Sequence, residues 1–110
     1  MNKTSFLGEF EQMVLLAILR LEDGAFGMSI RNELEERAGR TVSRSALYIT
    51  LERLIRKGYL TARMGDPSPE RGGRAKRYFE ITSAGREALK TSGRALRNLW
   101  VGYESLLDES

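Results

Sequence analysis

Cysteine and histidine are both missing from this 110-residue chain, which removes disulfides, thiol nucleophiles, imidazole acid–base chemistry and the common Cys/His metal sites together. Catalysis would fall to carboxylates, lysine or tyrosine. Long hydrophobic runs are missing too: the longest, Met13–Leu19, is far shorter than the roughly 20 residues that span a bilayer, and it lacks a signal-peptide context. These lacks point to a cytoplasmic chain with no membrane partner and no cofactor. A hydrophobic share of 41% and a charged share of 30% sit in the globular range, and the length suits one core.

Charge is present, but unevenly. The net +3 conceals a first segment, residues 1–36, at −4 and a last, residues 78–110, at −1. Between them, residues 37–77 carry eleven basic against three acidic side chains, a net of +8. A local field of that sign attracts a polyanion, whereas a solvated basic surface without a partner is the plainer alternative.

Periodicity divides the chain into short elements. Glu9–Leu21 predicts a first helix, apolar on every side from Met13 to Leu19, which asks for cover all round, some of it from another subunit. Asp23-Gly24 breaks it, and Phe26-Gly27-Met28-Ser29 leads into a second helix reaching Ala38, with Ile30 and Leu34 inward and Gly39 as the stop. Ser43 caps a third helix to about Lys57. Its inner stripe is Leu47, Leu51, Leu54 and Ile55; Ser45, Tyr48, Ile49, Glu52, Arg53 and Arg56 face outward. Tyr59–Met64 and Arg77–Ile81 predict a hairpin whose long tip holds both prolines. Thr82 or Ser83 then caps a last helix extending toward Leu107, on which Leu89, Leu96, Leu99, Trp100, Tyr103 and Leu106 form a seam of the kind two helices share. A monomer would leave that seam as an exposed apolar patch, so a homodimer is expected.

The order of three helices, a strand, a basic loop, a strand and a helix predicts a mainly α fold with a β-hairpin wing (α+β), a winged helix-turn-helix followed by a C-terminal dimerisation helix. Residues 1–82 make the DNA-binding domain, and 83–110 the dimerisation helix, packed with the first. The third helix would enter the major groove of double-stranded DNA N-terminal end first, bringing Ser43, Arg44 and Ser45 to phosphates or base edges, with Arg53 further along. Tyr48 either donates to a phosphate or is a half-buried core tyrosine. Glu52 either accepts from cytosine or pairs with Arg56 at i+4. In the wing, Gly72 and Gly73 let backbone approach phosphate, and Arg71, Arg74 and Lys76 supply charge. Strand alternation leaves at most one of Lys76 and Arg77 on the DNA side.

Residues Leu7-Gly8-Glu9-Phe10-Glu11, Phe26-Gly27, the run Ser43 to Leu54 with its Ala-Leu-Tyr, Lys57-Gly58, Pro69 to Phe79 with its Gly-Gly-Arg, and Thr82 with Gly85 together carry a resemblance. The chain resembles the PadR-type transcriptional regulators over nearly its whole length, in their compact branch. Phe26 stands where members commonly have tyrosine. The resemblance implies a homodimer joined through the N- and C-terminal helices, which adds Phe6, Leu7 and Phe10 to the interface, and a roughly palindromic operator, usually repressed. Some members bind small aromatic compounds between the dimerisation helices; Trp100 and Tyr103 are plain dimer core first and the lining of such an effector pocket second. Two other classes compete. A winged-helix protein-interaction module without specific DNA binding would share the basic stripe, and an enzyme has no paired acid–base geometry to stand on.

Overall fold

The structure, a computed structural model, describes residues 6–66 and 75–110. Helix α1 (Glu9–Leu21) begins where the Glu11 carboxylate reaches back to accept the Gly8 N–H at 3.1 Å, satisfying a donor that a helix start leaves open. Val14, Leu15, Ala17 and Ile18 are buried in the same chain, while Leu16 stays half-exposed. Most of the circumference of this apolar helix is therefore covered by its own protomer.

A 3-10 turn, Glu22–Gly24, leads to α2 (Gly27–Ala38). There the Ser29 hydroxyl accepts the Phe26 N–H at 2.9 Å and donates to the Gly24 carbonyl at 2.6 Å. Gly39, at φ 65°, closes α2 in the left-handed region that glycine enters without cost. Helix α3 (Arg44–Arg56) starts at Ser43, whose Oγ accepts the Ala46 N–H at 3.1 Å. Its Leu47, Leu51 and Leu54 are fully buried against α1 and α2, with Ile30 and Leu34. Each such leucine contributes about 2 kcal/mol by leaving water.

Strands β1 (Leu60–Met64) and β2 (Arg77–Ile81) pair antiparallel, Leu60 opposite Ile81 and Met64 opposite Arg77. On the other edge of β2, Ala25 accepts the Phe79 N–H at 2.9 Å and Phe26 bridges to Tyr78. Alternation along β2 buries Phe79 in the core and turns Tyr78 onto the Phe26 ring, 5.6 Å away and edge-on.

Helix α4 (Ser83–Trp100) is fastened at its start. Thr82 Oγ1 accepts the Gly85 N–H at 3.0 Å and donates to the Gly58 carbonyl at 2.6 Å, and the Thr82 N–H donates to Tyr59 O at 3.0 Å. Gly85 lies so close to the Tyr59 carbonyl that a Cβ would collide with it. Further along, buried Ser92 accepts the Leu7 N–H at 2.9 Å.

Three sequence expectations need correction. The last helix ends at Trp100 instead of running to Leu107, because Gly102 adopts φ 90° and the chain turns into a 3-10 segment, Glu104–Asp108. The first strand starts at Leu60, since Tyr59 N–H is taken by the Leu54 carbonyl that ends α3. Leu7, expected at a dimer face, is buried in its own protomer's core with 6% exposure, which leaves it no surface for a partner.

Candidate nucleic-acid interface

Capping decides what α3 presents at its N-terminus. With the Ser43 hydroxyl on Ala46 and the Ser43 carbonyl on the Leu47 N–H, the Arg44 and Ser45 N–H groups are left pointing out of the first turn. Arg44 and Ser45 are exposed, and Ser45 Oγ lies 3.4 Å from Ser43 Oγ. Arg53, two turns on, is exposed on the outer face with Arg56. Arg44 and Arg56 form no ion pair with any described residue.

Tyr48 connects this turn to the rest of the face. Its half-buried ring meets Phe79 edge-on at 6.4 Å, and its hydroxyl rests on Gly27, where a Cβ would come within 2.5 Å. It thus packs as a core tyrosine while its phenolic end reaches an open cleft of about 550 Å³. Arg44, Tyr48, Met64 and Lys76 line that cleft, with the start of α2 as its floor. The Lys76 ammonium sits 3.8 Å from the Phe26 ring centroid, an attraction that holds a cation at the cleft rim. The structure therefore brings Arg44, Tyr48 and Lys76 to one concave surface. Arg71, Gly72, Gly73 and Arg74, the other predicted wing contacts, lie outside the described residues.

Some of the basic side chains counted in the central segment are spent inside the protomer. Arg40 bonds Glu9 at 2.9 Å and covers the Phe10 ring at 5.0 Å. Lys57 bonds Glu11 at 2.9 Å. Burial acts to raise the Glu11 carboxyl, but the hydrogen bonds from Lys57 and Gly8 and the nearby charges of Lys57 and Arg53 outweigh it and hold the group below its ordinary value. Arg77 bonds Glu52, so Glu52 pairs across to the wing and not with Arg56. That pairing orients the hairpin on α3 and neutralises the one carboxylate of the outer face. Spacing within a helix gives no hint of it, because its two members are 25 positions apart.

Away from this face, Phe6, Leu96, Leu99, Tyr103 and Leu106 are exposed, Leu99 at 79%. Phe10 and Leu89 are half-buried against the core, and Trp100 is half-buried. Neither Trp100 nor Tyr103 lines the wing cleft or the second cleft, which lies between Ile18 and Arg86.

The sequence model of the transcriptional regulator PadR-like family matches residues 15–91, a span from α1 through the hairpin into α4. The chain belongs to that family. Solved structures share the fold of this PadR-like regulator. One from Bacillus cereus, a PadR-like transcriptional regulator, is 21% identical with a TM-score of 0.71, covering 92% of this chain and 93% of its own. A PadR family regulator from Clostridium difficile is 18% identical with a TM-score of 0.69, covering 89% and 98%. Another from Eggerthella lenta is 23% identical at 0.68, covering 93% and 88%. No curated protein sequence matches the chain. As a PadR-like protein it is a winged-helix, DNA-binding transcriptional regulator and not an enzyme, of a family that is generally dimeric. No helix among the described residues is long and apolar enough to cross a membrane.

Proposed function

We propose that this PadR-like chain acts in the cytoplasm as a homodimeric repressor of a roughly palindromic operator. Residues 1–82 bind DNA and 83–110 join the two copies. The observation that carries the reading is the convergence of Arg44, Tyr48 and Lys76 on one cleft beside the open first turn of α3. Ser43, Arg44, Ser45 and Arg53 meet phosphates and base edges in the major groove, and Lys76, with Arg71, Gly72, Gly73 and Arg74, meets the backbone beside it. The uncovered leucines of α4 support dimerisation, together with Phe6 and Phe10 at the N-terminal end.

Titration with duplex DNA at several salt concentrations tests this. Affinity should fall steeply, the logarithmic slope gaining about −0.9 for each phosphate neutralised. Arg74→Ala should weaken all sequences alike, whereas Arg44→Ala should also relax preference among them. Salt-independent association would refute DNA binding through this face. A small aromatic effector held between the two copies by Trp100 and Tyr103 completes the reading. The single tryptophan reports on it: if a panel of small aromatic compounds leaves Trp100 emission and operator affinity unchanged, the effector is removed from the account.

A further inference from the structure

Ile49 is 60% exposed, in the middle of the outer face of α3. At 3.6 residues per turn it stands about 160° around the helix from both Leu47 and Leu51, the fully buried pair. Exposed Ser45 and Arg53 lie one turn to either side of it, and exposed Ala46 three residues before. A lone surface isoleucine is ordinary in itself. What singles this one out is the company it keeps.

Among the described residues, the other large apolar side chains left in water sit at Phe6 and Leu16, at the edge of the wing cleft (Met28, Met64), or along α4 and the tail beyond it. Ile49 alone interrupts a polar, cationic face, whose one carboxylate, Glu52, is already neutralised by Arg77. A face of that charge is complementary to a polyanion and not to an apolar protein partner. In the major groove the base edges are hydrogen-bonding groups with one apolar exception, the C5-methyl of a pyrimidine. We infer that Ile49 reads a pyrimidine C5-methyl, that of thymine, in each half-site. It is then a specificity-determining residue beside the polar contacts of Ser43 to Ser45, and it rests on the DNA-binding reading of that face. Burying one methyl corresponds to about fourfold in affinity.

The test uses the full chain and the duplex that it best retains from a random pool. Each thymine is replaced in turn by deoxyuridine, which lacks only the methyl group, and each cytosine by 5-methylcytosine. The expected result is one thymine per half-site whose replacement weakens binding about fourfold for the wild type and for Ile49→Val, but not for Ile49→Ala. A gain on cytosine methylation that is likewise lost in Ile49→Ala would keep the methyl contact and assign it to the modified base. Because the side chain is exposed, Ile49→Ala should keep its helical circular dichroism. Tight binding with no methyl dependence anywhere, or an equal uracil penalty in Ile49→Ala, would overturn the inference while leaving DNA recognition intact. Failure to retain any duplex would overturn both.

Discussion

Two leucine-rich helices of this regulator meet opposite fates. In α3, Leu47, Leu51 and Leu54 are fully covered by the same chain, whereas in the second half of α4 Leu96 and Leu99 are 51% and 79% exposed. Composition does not separate them. The difference is that α3 is surrounded by α1, α2 and the hairpin, while beyond buried Ser92 the leucines of α4 are left uncovered. The Cα radius of gyration, 15.7 Å, exceeds the about 13 Å of a compact chain of this length, as a projecting arm requires. One region is finished by its own sequence, and the other is left uncovered, which is what the proposed dimer would use.

The sharpest way to break this comparison is Leu99→Glu. It should abolish dimerisation and high-affinity operator binding while leaving helical circular dichroism nearly unchanged; sedimentation that still shows a dimer would remove α4 from the interface. Next in size, Leu51→Ala should cost about 3 kcal/mol in chemical denaturation, the transfer and cavity terms of a fully buried leucine. The analogous Leu99→Ala, measured at concentrations where only monomer exists, should cost almost nothing. A smaller effect belongs to Glu11→Ala, about 2 kcal/mol, from losing hydrogen bonds between a buried carboxylate, Lys57 and the Gly8 N–H. Since folding depresses the Glu11 carboxyl, its contribution is complete above the ordinary value of 4.5 and is lost as pH falls through the folded value. Wild type and Glu11→Ala should therefore converge in stability on acidification below about pH 4.5. Smallest of all, Arg77→Ala should cost at most about 1 kcal/mol, because the Glu52 pair is more than a third exposed. A double-mutant cycle with Glu52→Ala would measure that coupling, and a zero result would free the wing from α3.

Much of the architecture was legible because its signals are local. Helix α1 runs over the residues that periodicity marks, Gly39 and Gly58 take positive φ where helices stop, and the hairpin follows the alternation of Arg77 to Ile81. Misreadings arose where distant residues meet. Counting charge along the chain treats Arg40, Lys57 and Arg77 as available cations, yet each is bound to a carboxylate 25 or more positions away. Neither partner that spacing offers Glu52, a cytosine or Arg56, is the one it takes, since Arg77 lies 25 positions away. The resemblance puts Leu7 at the interface, and nothing in its surroundings announces Ser92, 85 positions on, which ties it into its own core. The start of α4 was visible in its cap, but its end was not, since Gly93 stays helical while Gly102 turns the chain out of the helix. Of the interface, Ser43 as N-cap followed from its type and place, whereas the approach of Phe26 to Lys76 depends on a strand edge that the sequence does not mark.

Thr82 has a mechanical consequence. By bonding the Gly58 carbonyl at the end of α3 and the Gly85 N–H at the start of α4, it welds the helix proposed to enter DNA to the start of α4. In a dimer joined through α4, the crossing angle of the two arms then sets the distance between the two reading heads, as the pivot of a pair of callipers sets the span of its points. A change far out on the arm would be felt as a preference for a different half-site spacing before it was felt as a loss of grip.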